Sequence, residues 1–422
     1  MPVSHINDLE EQLRQDRRLG KARRRKRRLK RLIPLLLLLL LAVGLYFLLR
    51  GPQEETPTEP ETVAPDSAVA TLSFVGDISL DDAMLQRFST EAGYDFSPLL
   101  KRVVPRLASA DLTIGNLEGN IVDAGSVSAH NYPAELLRDL YNAGFDLLQT
   151  ANSYSIQNGI TGLTATKQAI EAAGMQALGT WSSQEDRSEH GVLLLEVNGL
   201  RIAFLAFTKG MNNLRLPAGA DYCVNLLYSD YDTNYSKIAR GAITAAVEDA
   251  WSLNPDLVVA MLHWGSEYDQ DLADSQKEIA ELLFDSGVTL IVGSHSHYVG
   301  PMELKSRSIS SPAGGFIAYS LGDFVSMADV SSARNGCILS VTVVKDQDGT
   351  RITGLEYAPT YSAAPSTNLD IEDYEVLDTL DAISFYRNGY YDRVSEALYE
   401  RLVSAVERMR EQTGQPDRIA GN

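Results

Sequence analysis

From Ala70 onward, short apolar runs rich in β-branched residues alternate with amphipathic helical stretches. This alternation favours an α/β architecture with buried, partly parallel sheets. Strands are predicted at Thr71–Val75, Leu112–Ile114, Leu147–Thr150, Leu193–Val197, Ile202–Phe207, Leu257–Leu262, Thr289–Val292, Phe316–Tyr319 and Ile338–Val344. Helices are predicted at Ser97–Ala108, Ala134–Asn142, Gly162–Ala173, Tyr235–Trp251 and Ser275–Ser286.

An uncharged apolar run, Leu32–Leu49, follows the basic segment Lys21–Arg31. At about 1.5 Å per residue it nearly spans a hydrocarbon core of about 30 Å. A buried globular helix is a weak alternative because the leucines at 35–41 leave no polar face. A cleaved signal peptide would end in small residues, whereas this run ends in Tyr-Phe-Leu-Leu-Arg. We therefore expect one uncleaved transmembrane helix, with the N-terminus in the cytoplasm and the main domain outside the cell.

Charge divides the chain in the same way. Residues 1–50 carry a net charge of +9, and the remainder carries −28. The basic segment also fits nucleic-acid binding, but the apolar run directly after it argues for a membrane instead, so we expect no nucleic-acid partner. A domain this acidic does not attract a polyanion at long range, and such a ligand needs a local cationic or metal site.

These patterns predict five segments. Residues 1–31 form a basic cytoplasmic tail, and residues 32–49 form the transmembrane helix. Residues 50–69, rich in Pro, Glu and Thr, form a disordered linker. Residues 70–360 form the main domain, and residues 361–422 form a helical appendage.

Within the appendage, helices are predicted at Val376–Phe385 and Tyr391–Gln412. The chain has two cysteines, Cys223 and Cys337. They either pair in an oxidising compartment or both stay free, and two cysteines alone do not decide the redox compartment.

Polar clusters follow four of the predicted strands. They are Gly76-Asp77, then Asn116 and Glu118, then His263 and Glu267, then His295, His297 and Glu303. Singly, each has a structural explanation, such as a turn, a helix cap or a core histidine. Together they favour a site, because ligands bind at the carboxyl ends of strands in open α/β sheets. Carboxylate oxygen and imidazole nitrogen are ligands of divalent metals, with Zn, Mn and Fe all plausible.

In this order the clusters resemble the CapA family of poly-γ-glutamate capsule biosynthesis. The family's Gly-Asp, Gly-Asn-Leu-Glu, His-Trp-Gly-x-Glu and Gly-x-His-x-His motifs are all matched, and its Tyr-Ser-Leu-Gly-Asn-Phe is matched with Asp323 in place of Asn. The resemblance covers roughly Thr71–Tyr361. It implies a calcineurin-like metallophosphoesterase sandwich, in which two packed mixed sheets are flanked by helices, and a site for one or two divalent metal ions.

The resemblance also implies residue roles. The implied metal ligands are Asp77, Asn116, Glu118, His263, His295 and His297. The implied catalytic residues are His263, His295 and Tyr154. The implied substrate contacts are Asn152, Ser153, Glu267 and Asp323.

One segment departs from the family pattern Ala-Asn-Asn-His-x-x-Asp-x-Gly. Here the second Asn is Ser153, the His is Tyr154 and the Asp is Gln157. By analogy with metallophosphoesterases, the Asn-His pair supplies a metal ligand and a general acid. Tyrosine titrates at about 10 and is a weaker acid than histidine at neutral pH. We expect metal binding with weakened hydrolysis, and Asp323 either compensates for the lost ligand or is only a helix-cap variant.

Three functions remain open. The chain is an envelope protein of the CapA type that acts on, releases or exports an anionic polymer, or a non-catalytic scaffold that binds such a polymer, or a general metallophosphatase. The expected partners are an anionic polymer or phosphoester substrate, the membrane through one helix, and capsule-synthesis membrane proteins.

Overall fold

The structure, a computed structural model, describes residues 67–306, 314–328, 330, 332–416 and 418–420. The predicted cytoplasmic tail at 1–31 and transmembrane helix at 32–49 lie outside these residues, as does nearly all of the predicted linker at 50–69. Among the helices that the structure describes, none is long and apolar enough to cross a bilayer.

In chain order, the strands are β1 (Ala68–Ile78), β2 (Ser89–Thr90), β3 (Gly93–Tyr94), β4 (Leu112–Leu117), β5 (Asn120–Ile121), β6 (Asn131–Tyr132), β7 (Leu147–Gln149), β8 (Gln176–Leu178), β9 (Leu193–Val197), β10 (Leu200–Thr208), β11 (Leu257–His263), β12 (Leu290–Ser294), β13 (Met302–Lys305), β14 (Gly315–Ala318), β15 (Asp323–Val325), β16 (Asn335–Asp346), β17 (Gly349–Ala363), β18 (Glu375–Asp378) and β19 (Arg418–Ala420). The helices are α1 (Asp82–Arg87), α2 (Ser97–Leu100), α3 (Val104–Leu107), α4 (Ala134–Ala143), α5 (Gly159–Ala172), α6 (Gln184–His190), α7 (Arg240–Ser252), α8 (Asp274–Asp285), α9 (Thr379–Arg387) and α10 (Glu396–Thr413).

Two mixed sheets contain most of the strands. The larger has the order β18-β17-β16-β1-β4-β7-β8, with β15 beside β1 and β19 beside β17. Its strands β1, β4, β7 and β8 run parallel, and β16 joins β1 antiparallel. The smaller sheet has the order β13-β14-β12-β11-β10-β9. Its four central strands are parallel, and β9 and β13 close the two edges antiparallel.

The central strands are apolar on both faces. The sequence of β11 is LVVAMLH and that of β12 is LIVGS, and every residue of both strands is buried. Parallel strands covered on both faces require such continuous apolar runs, whereas a strand with one wet face alternates. These two strands therefore lie inside a sheet that is covered on both sides.

Three cores define the layers. Residues of both sheets, among them Phe74, Phe204 and Met261, form one core between the sheets. The outer face of the larger sheet packs against α1 to α5, and the outer face of the smaller sheet packs against α7 and α8. The predicted sandwich of two packed mixed sheets flanked by helices is therefore confirmed.

The carboxyl end of β1 is shaped by a close backbone approach at Gly76. A Cβ atom at Gly76 would lie 1.8 Å from the carbonyl oxygen of Gly322, so a larger residue does not fit. The next residue, Asp77, donates its backbone N–H to the same carbonyl at 3.1 Å. Glycine at 76 therefore lets β1 deliver Asp77 beside β15.

Two predicted helices differ from the structure. The segment Ser97–Ala108 forms two short helices, with Pro105 in the first turn of the second. Proline lacks an N–H and disfavours a helical residue before it, which interrupts a continuous helix. The segment Val376–Phe385 begins as strand β18, and α9 starts at Thr379 because the Asp378 carboxylate accepts the N–H groups of the first turn.

The C-terminal region contributes strands as well as helices. Strand β17 runs to Ala363, past the predicted domain boundary at residue 361, and β18 pairs with it antiparallel. Helix α10 buries Leu398, Leu402 and Val406 in a small core that also includes residues of α9 and β17. This region is therefore hydrogen-bonded into the larger sheet.

Both cysteines, Cys223 and Cys337, are buried and free. Burial raises the pKa of the Cys223 thiol to about 11 and raises that of Cys337 further. A thiol whose pKa is raised is a poor nucleophile, so the structure gives neither cysteine a chemical role.

Candidate metal centre

Six side chains predicted as metal ligands meet where strands of both sheets end. Asp77 in β1 lies opposite Asn116 in β4, and Glu118 follows β4. His263 is the last residue of β11, and the other two histidines follow β12. None of the six is more than 9% exposed; they are Asp77, Asn116, Glu118, His263, His295 and His297. The predicted convergence is therefore present in the structure.

Five of these residues form two groups with the geometry of a metal site. The first ligand set is Glu118, His263 and His295, and the second ligand set is Asp77, Glu118 and His297. Within each set, one potential ligand atom from each residue lies within 4.8 Å of the others. Because Glu118 belongs to both sets, its carboxylate would contribute a ligand atom to a cation held by either set.

Hydrogen bonds fix the Asp77 carboxylate in the second ligand set. One oxygen accepts from the side-chain amide of Asn116 at 2.6 Å, and the other accepts from the backbone N–H of His295 at 2.9 Å. Burial and the charge of Glu118 raise the pKa of Asp77. Two carboxylates buried together repel one another, and a bound cation would relieve that repulsion.

Glu118 lies between the two sets and is held by neighbours from both sheets. Its carboxylate accepts a hydrogen bond from the Ser79 hydroxyl at 2.7 Å and lies 3.3 Å from Nε2 of His263. Burial alone raises the pKa of Glu118, but the interactions with His263 and His297 outweigh burial and hold it well below its usual range. Glu118 is therefore ionised, as a metal ligand must be.

His295 gives the clearest test of whether these residues fit a metal. Its ring is 2% exposed, and neither ring nitrogen has a hydrogen-bond partner among the described residues. Burial lowers the pKa of His295 well below its usual value, and the charges of His263 and Lys209 add to the effect. A neutral imidazole with a free nitrogen, 4.4 Å from the His263 ring between centroids, fits a divalent metal ligand.

His297 is oriented by Asp323, the residue that stands where the family pattern has Asn. Nδ1 of His297 lies 2.8 Å from the Asp323 carboxylate, whose other oxygen accepts from the Ser326 hydroxyl at 2.5 Å. Burial alone lowers the pKa of His297, but the bond to Asp323 outweighs burial and raises it to about 10. A carboxylate behind a histidine fixes the ring, and a metal at Nε2 would displace the second proton that this raised pKa implies. Asp323, predicted as a substrate contact, is 1% exposed behind His297.

Comparison with known proteins places the chain in a family. A family model described as "Bacterial capsule synthesis protein PGA_cap" matches residues 71–328. This match covers more than half of the chain and includes every residue of both ligand sets. The chain belongs to the PGA_cap family.

Two capsule biosynthesis proteins resemble the chain over most of its length. The PGA biosynthesis protein CapA of Bacillus subtilis (strain 168) is 27% identical over 305 residues, which is 70% of this chain and 72% of that protein. The capsule biosynthesis protein CapA of Bacillus anthracis is 27% identical over 280 residues, which is 63% of this chain and 62% of that protein.

Among solved structures, the calcineurin-like phosphoesterase YfkN from Bacillus subtilis is similar, with a TM-score of 0.41 and 9% sequence identity. The similarity covers 82% of this chain and 99% of that one. A likeness of this size supports no inference about activity, which must come from the residues of this chain.

The segment that departs from the PGA_cap pattern contributes two buried residues to the centre. The Ser153 hydroxyl lies 3.0 Å from Nε2 of His263, beside the first ligand set. The Asn152 amide donates to the side-chain oxygen of Asn116 at 3.0 Å and to the carbonyl of Leu117 at 2.7 Å. Ser153 therefore lies beside the first ligand set, whereas Asn152 positions Asn116.

Tyr154 lies at the mouth of the centre and is half-buried. Its ring stacks on His130 with centroids 3.7 Å apart, and burial raises its pKa to about 12. Glu267, predicted as a substrate contact, is exposed and close enough to raise the pKa of Tyr154 further. Glu303 instead pairs with Lys305 at 3.6 Å in β13 and belongs to neither ligand set.

Sequence reasoning missed several residues around the centre. They are Ser79, which donates to Glu118; His130, which stacks on Tyr154; Lys209, which follows β10; Tyr268, which stacks on His297 at 4.8 Å; and Ser294, which lies 3.2 Å from Nδ1 of His263. Ser79, Lys209 and Ser294 lie within two residues of a strand's carboxyl end, so a search of every strand end would have found them. His130 and Tyr268 lie in loops and are brought in by tertiary packing alone.

Proposed function

We propose that this chain is a membrane-anchored PGA_cap protein whose extracytoplasmic domain binds divalent metal and handles the anionic capsule polymer, poly-γ-glutamate, at the cell surface. The observation that carries the proposal is the pair of ligand sets sharing Glu118, together with the lack of a hydrogen-bond partner for either ring nitrogen of His295 among the described residues. Buried polar atoms without partners are rare, and a metal ion would satisfy these.

The residues of the chain have distinct tasks at such a site. A bound divalent metal polarises a carbonyl or phosphoryl oxygen and lowers the pKa of a bound water. Asn116 and Asp323 hold Asp77 and His297 in place. Tyr154 stands where the family pattern has a general acid, and a tyrosine with a pKa of about 12 gives up its proton poorly at neutral pH. We therefore infer that hydrolysis at this site is weak.

A second candidate is a non-catalytic protein that binds the polymer. The changes at Ser153 and Tyr154 favour it, because they remove one amide ligand and the family's histidine while leaving the other ligands in place. Such a protein would bind metal and polymer without cleaving either a γ-glutamyl or a phosphoester bond.

The experiment measures metal content and turnover on the purified full-length chain. Metal is quantified after dialysis, and hydrolysis is screened on phosphoesters and on γ-linked polyglutamate, with His295→Phe as the matched variant. Metal with turnover supports a hydrolase, and metal without turnover supports the binding protein. A wild-type chain that retains no metal contradicts both, and one that retains no more metal than His295→Phe contradicts the role of His295 as a ligand.

The proposed topology has a separate test. Protease added to intact cells should remove the domain beyond Arg50 and spare the basic tail, because positive charge favours the cytoplasmic side. A domain that stays protected until the cells are lysed contradicts the proposed anchor.

A further inference from the structure

Lys209 places a positive charge at the same edge of the sheets as the ligand sets. It directly follows β10, whose last residue, Thr208, lies opposite His263 in register. The backbone N–H of Lys209 donates to the carbonyl of His263 at 2.8 Å. The backbone of Lys209 is therefore fixed beside a residue of the first ligand set.

The ammonium group of Lys209 is partly buried and poorly compensated. It donates to the carbonyl of Gly265 at 2.6 Å and lies 5.1 Å from the centroid of the Tyr235 ring. Within the described residues it has no carboxylate within 4.0 Å. Burial lowers its pKa, and the charge of Glu267 only partly opposes this. An ammonium has three donors, so part of its capacity remains unused.

Other partly buried lysines of the domain are paired. Lys167 lies 2.9 Å from Glu171 and 3.2 Å from Asp186, and Lys305 lies 3.0 Å from Glu281. Desolvating a charge without an ion partner is costly, and proteins generally pair buried lysines. In a domain with so many carboxylates, the absence of a carboxylate partner at Lys209 among the described residues points to a ligand.

We propose that Lys209 binds an anionic group, a carboxylate or a phosphate, of the ligand that occupies the metal centre, and that it determines the preference of the site for anionic ligands. The inference rests on the proposed function, which leaves open how so acidic a domain holds a polyanion. The net negative charge of the chain beyond residue 50 opposes long-range attraction of a polyanion. A cation beside the ligand sets would hold the polyanion at short range. The Lys209 side chain is half-buried, and its charge acts on the ring of His295 in the first ligand set.

The test uses the full-length, metal-loaded chain and isothermal titration with three probes. They are inorganic phosphate, a short γ-linked glutamate oligomer, and the same oligomer with its α-carboxylates converted to amides. The variants are Lys209→Gln, Lys209→Arg and, as the matched control, Lys237→Gln, which removes the same charge from an exposed residue. Metal affinity is measured in parallel, so failure of the metal site and failure of this inference give different results.

Loss of the ammonium should weaken binding of a charged probe about 10- to 100-fold, the usual effect of a charged hydrogen bond. Lys209→Arg should retain most of the affinity, Lys237→Gln should match wild type, and metal affinity should not change. If Lys209→Gln weakens binding of the charged oligomer but not of phosphate, the group that Lys209 recognises is a carboxylate. If it weakens binding of phosphate but not of the oligomer, the group is a phosphate. Equal binding by Lys209→Gln and wild type, equal weakening in Lys237→Gln, or no binding of either charged probe by the wild type overturns the inference.

A stability measurement separates binding from a structural role. If the contacts with Gly265 and Tyr235 only support the fold, Lys209→Met should melt below wild type. A partly buried ammonium without a carboxylate partner destabilises the ligand-free protein. If Lys209 serves to bind a ligand, Lys209→Met should therefore melt at or above the wild-type temperature. A clear drop in melting temperature together with unchanged anion binding contradicts it.

Discussion

The two ligand sets share Glu118 but differ in how their remaining ligands are supported. In the second set, Asp77 is held by Asn116 and by a backbone N–H, and His297 is held by Asp323. In the first set, the imidazole of His295 has no hydrogen-bond partner within the described part of the chain. The Ser153 hydroxyl also lies beside that set, 3.0 Å from Nε2 of His263. In the second set both unshared ligands are therefore held by hydrogen bonds, whereas in the first set His263 is held and His295 is not, among the residues that the structure describes.

This difference separates metal binding from catalysis. Residues behind a ligand fix its ring or carboxylate and raise affinity, so the second set should bind its cation more tightly than the first. Ser153 lies beside the first set, whereas Tyr154 lies near the shared Glu118. We propose that such a centre binds metal but hydrolyses its ligand weakly.

The largest expected effect comes from restoring the family residues. The double change Ser153→Asn and Tyr154→His should raise phosphoester turnover by about 10²–10⁴-fold, the usual contribution of general acid catalysis. It should also tighten binding at the first set. Tyr154→His alone is the matched control, and steady-state kinetics on the metal-loaded chain is the measurement. If turnover and metal affinity both stay at wild-type values, the contrast between the two sets has no catalytic meaning.

Removal of the shared carboxylate should affect both sets together. Glu118→Gln keeps the shape of the side chain but removes its charge. Loss of a residue that only supports a ligand typically lowers metal affinity about 10–100-fold, and we expect a larger fall here. Glu267→Gln removes an equal charge at the exposed rim and should leave affinity unchanged. Metal titration of the full-length chain checks this. Retention of one cation at wild-type affinity would show that Glu118 does not bridge.

A smaller and one-sided effect is expected at Asp323. Asp323→Asn restores the family residue and keeps an acceptor for His297, but it loses the charge that holds the imidazole. The affinity of the second set should fall about tenfold, the low end for a supporting carboxylate, while the first set is unaffected. Competition titrations that resolve the two cations test this. An equal loss at both positions would argue against independent support of the two sets.

The smallest effect should leave the centre untouched. Asp378 caps α9 and receives a hydrogen bond from Arg106 at 2.7 Å. Asp378→Ala should lower the free energy of unfolding by about 1–2 kcal/mol, as expected for a lost helix cap, with no change in metal affinity. Denaturant unfolding of Asp378→Ala measures this loss of stability. The control variant is Asp381→Ala, which changes an exposed residue of the same helix. Altered metal affinity in Asp378→Ala would mean that the C-terminal region is coupled to the centre.

Strand positions were largely readable from the sequence because the central strands are continuous apolar runs. The prediction Leu257–Leu262 became β11 with one added residue, and that residue is His263. The failures occurred where local signals conflict. Pro105 divides a predicted helix, and Asp378 converts the start of another into a strand followed by a capped helix.

The centre was predictable to the extent that its residues lie at strand ends. Asp77, Asn116 and His263 are of that kind. The partner of His297 was not predictable, because Asp323 reaches it through the pairing of β15 with β1, a contact between residues more than 200 positions apart. Stacking of His130 on Tyr154 likewise depends on loop packing, for which the sequence carries no periodic signal.

The most direct test of the account is anomalous scattering from crystals of the protein grown with Mn²⁺. If the two ligand sets form a metal centre, the anomalous difference map should show two peaks about 3.5–4 Å apart, a spacing typical of two-metal sites. One peak should touch Asp77, Glu118 and His297, and a second, weaker peak should touch Glu118, His263 and His295. Absence of anomalous density at both sets, with His295 still lacking a partner, would contradict the claim that these residues form a metal centre.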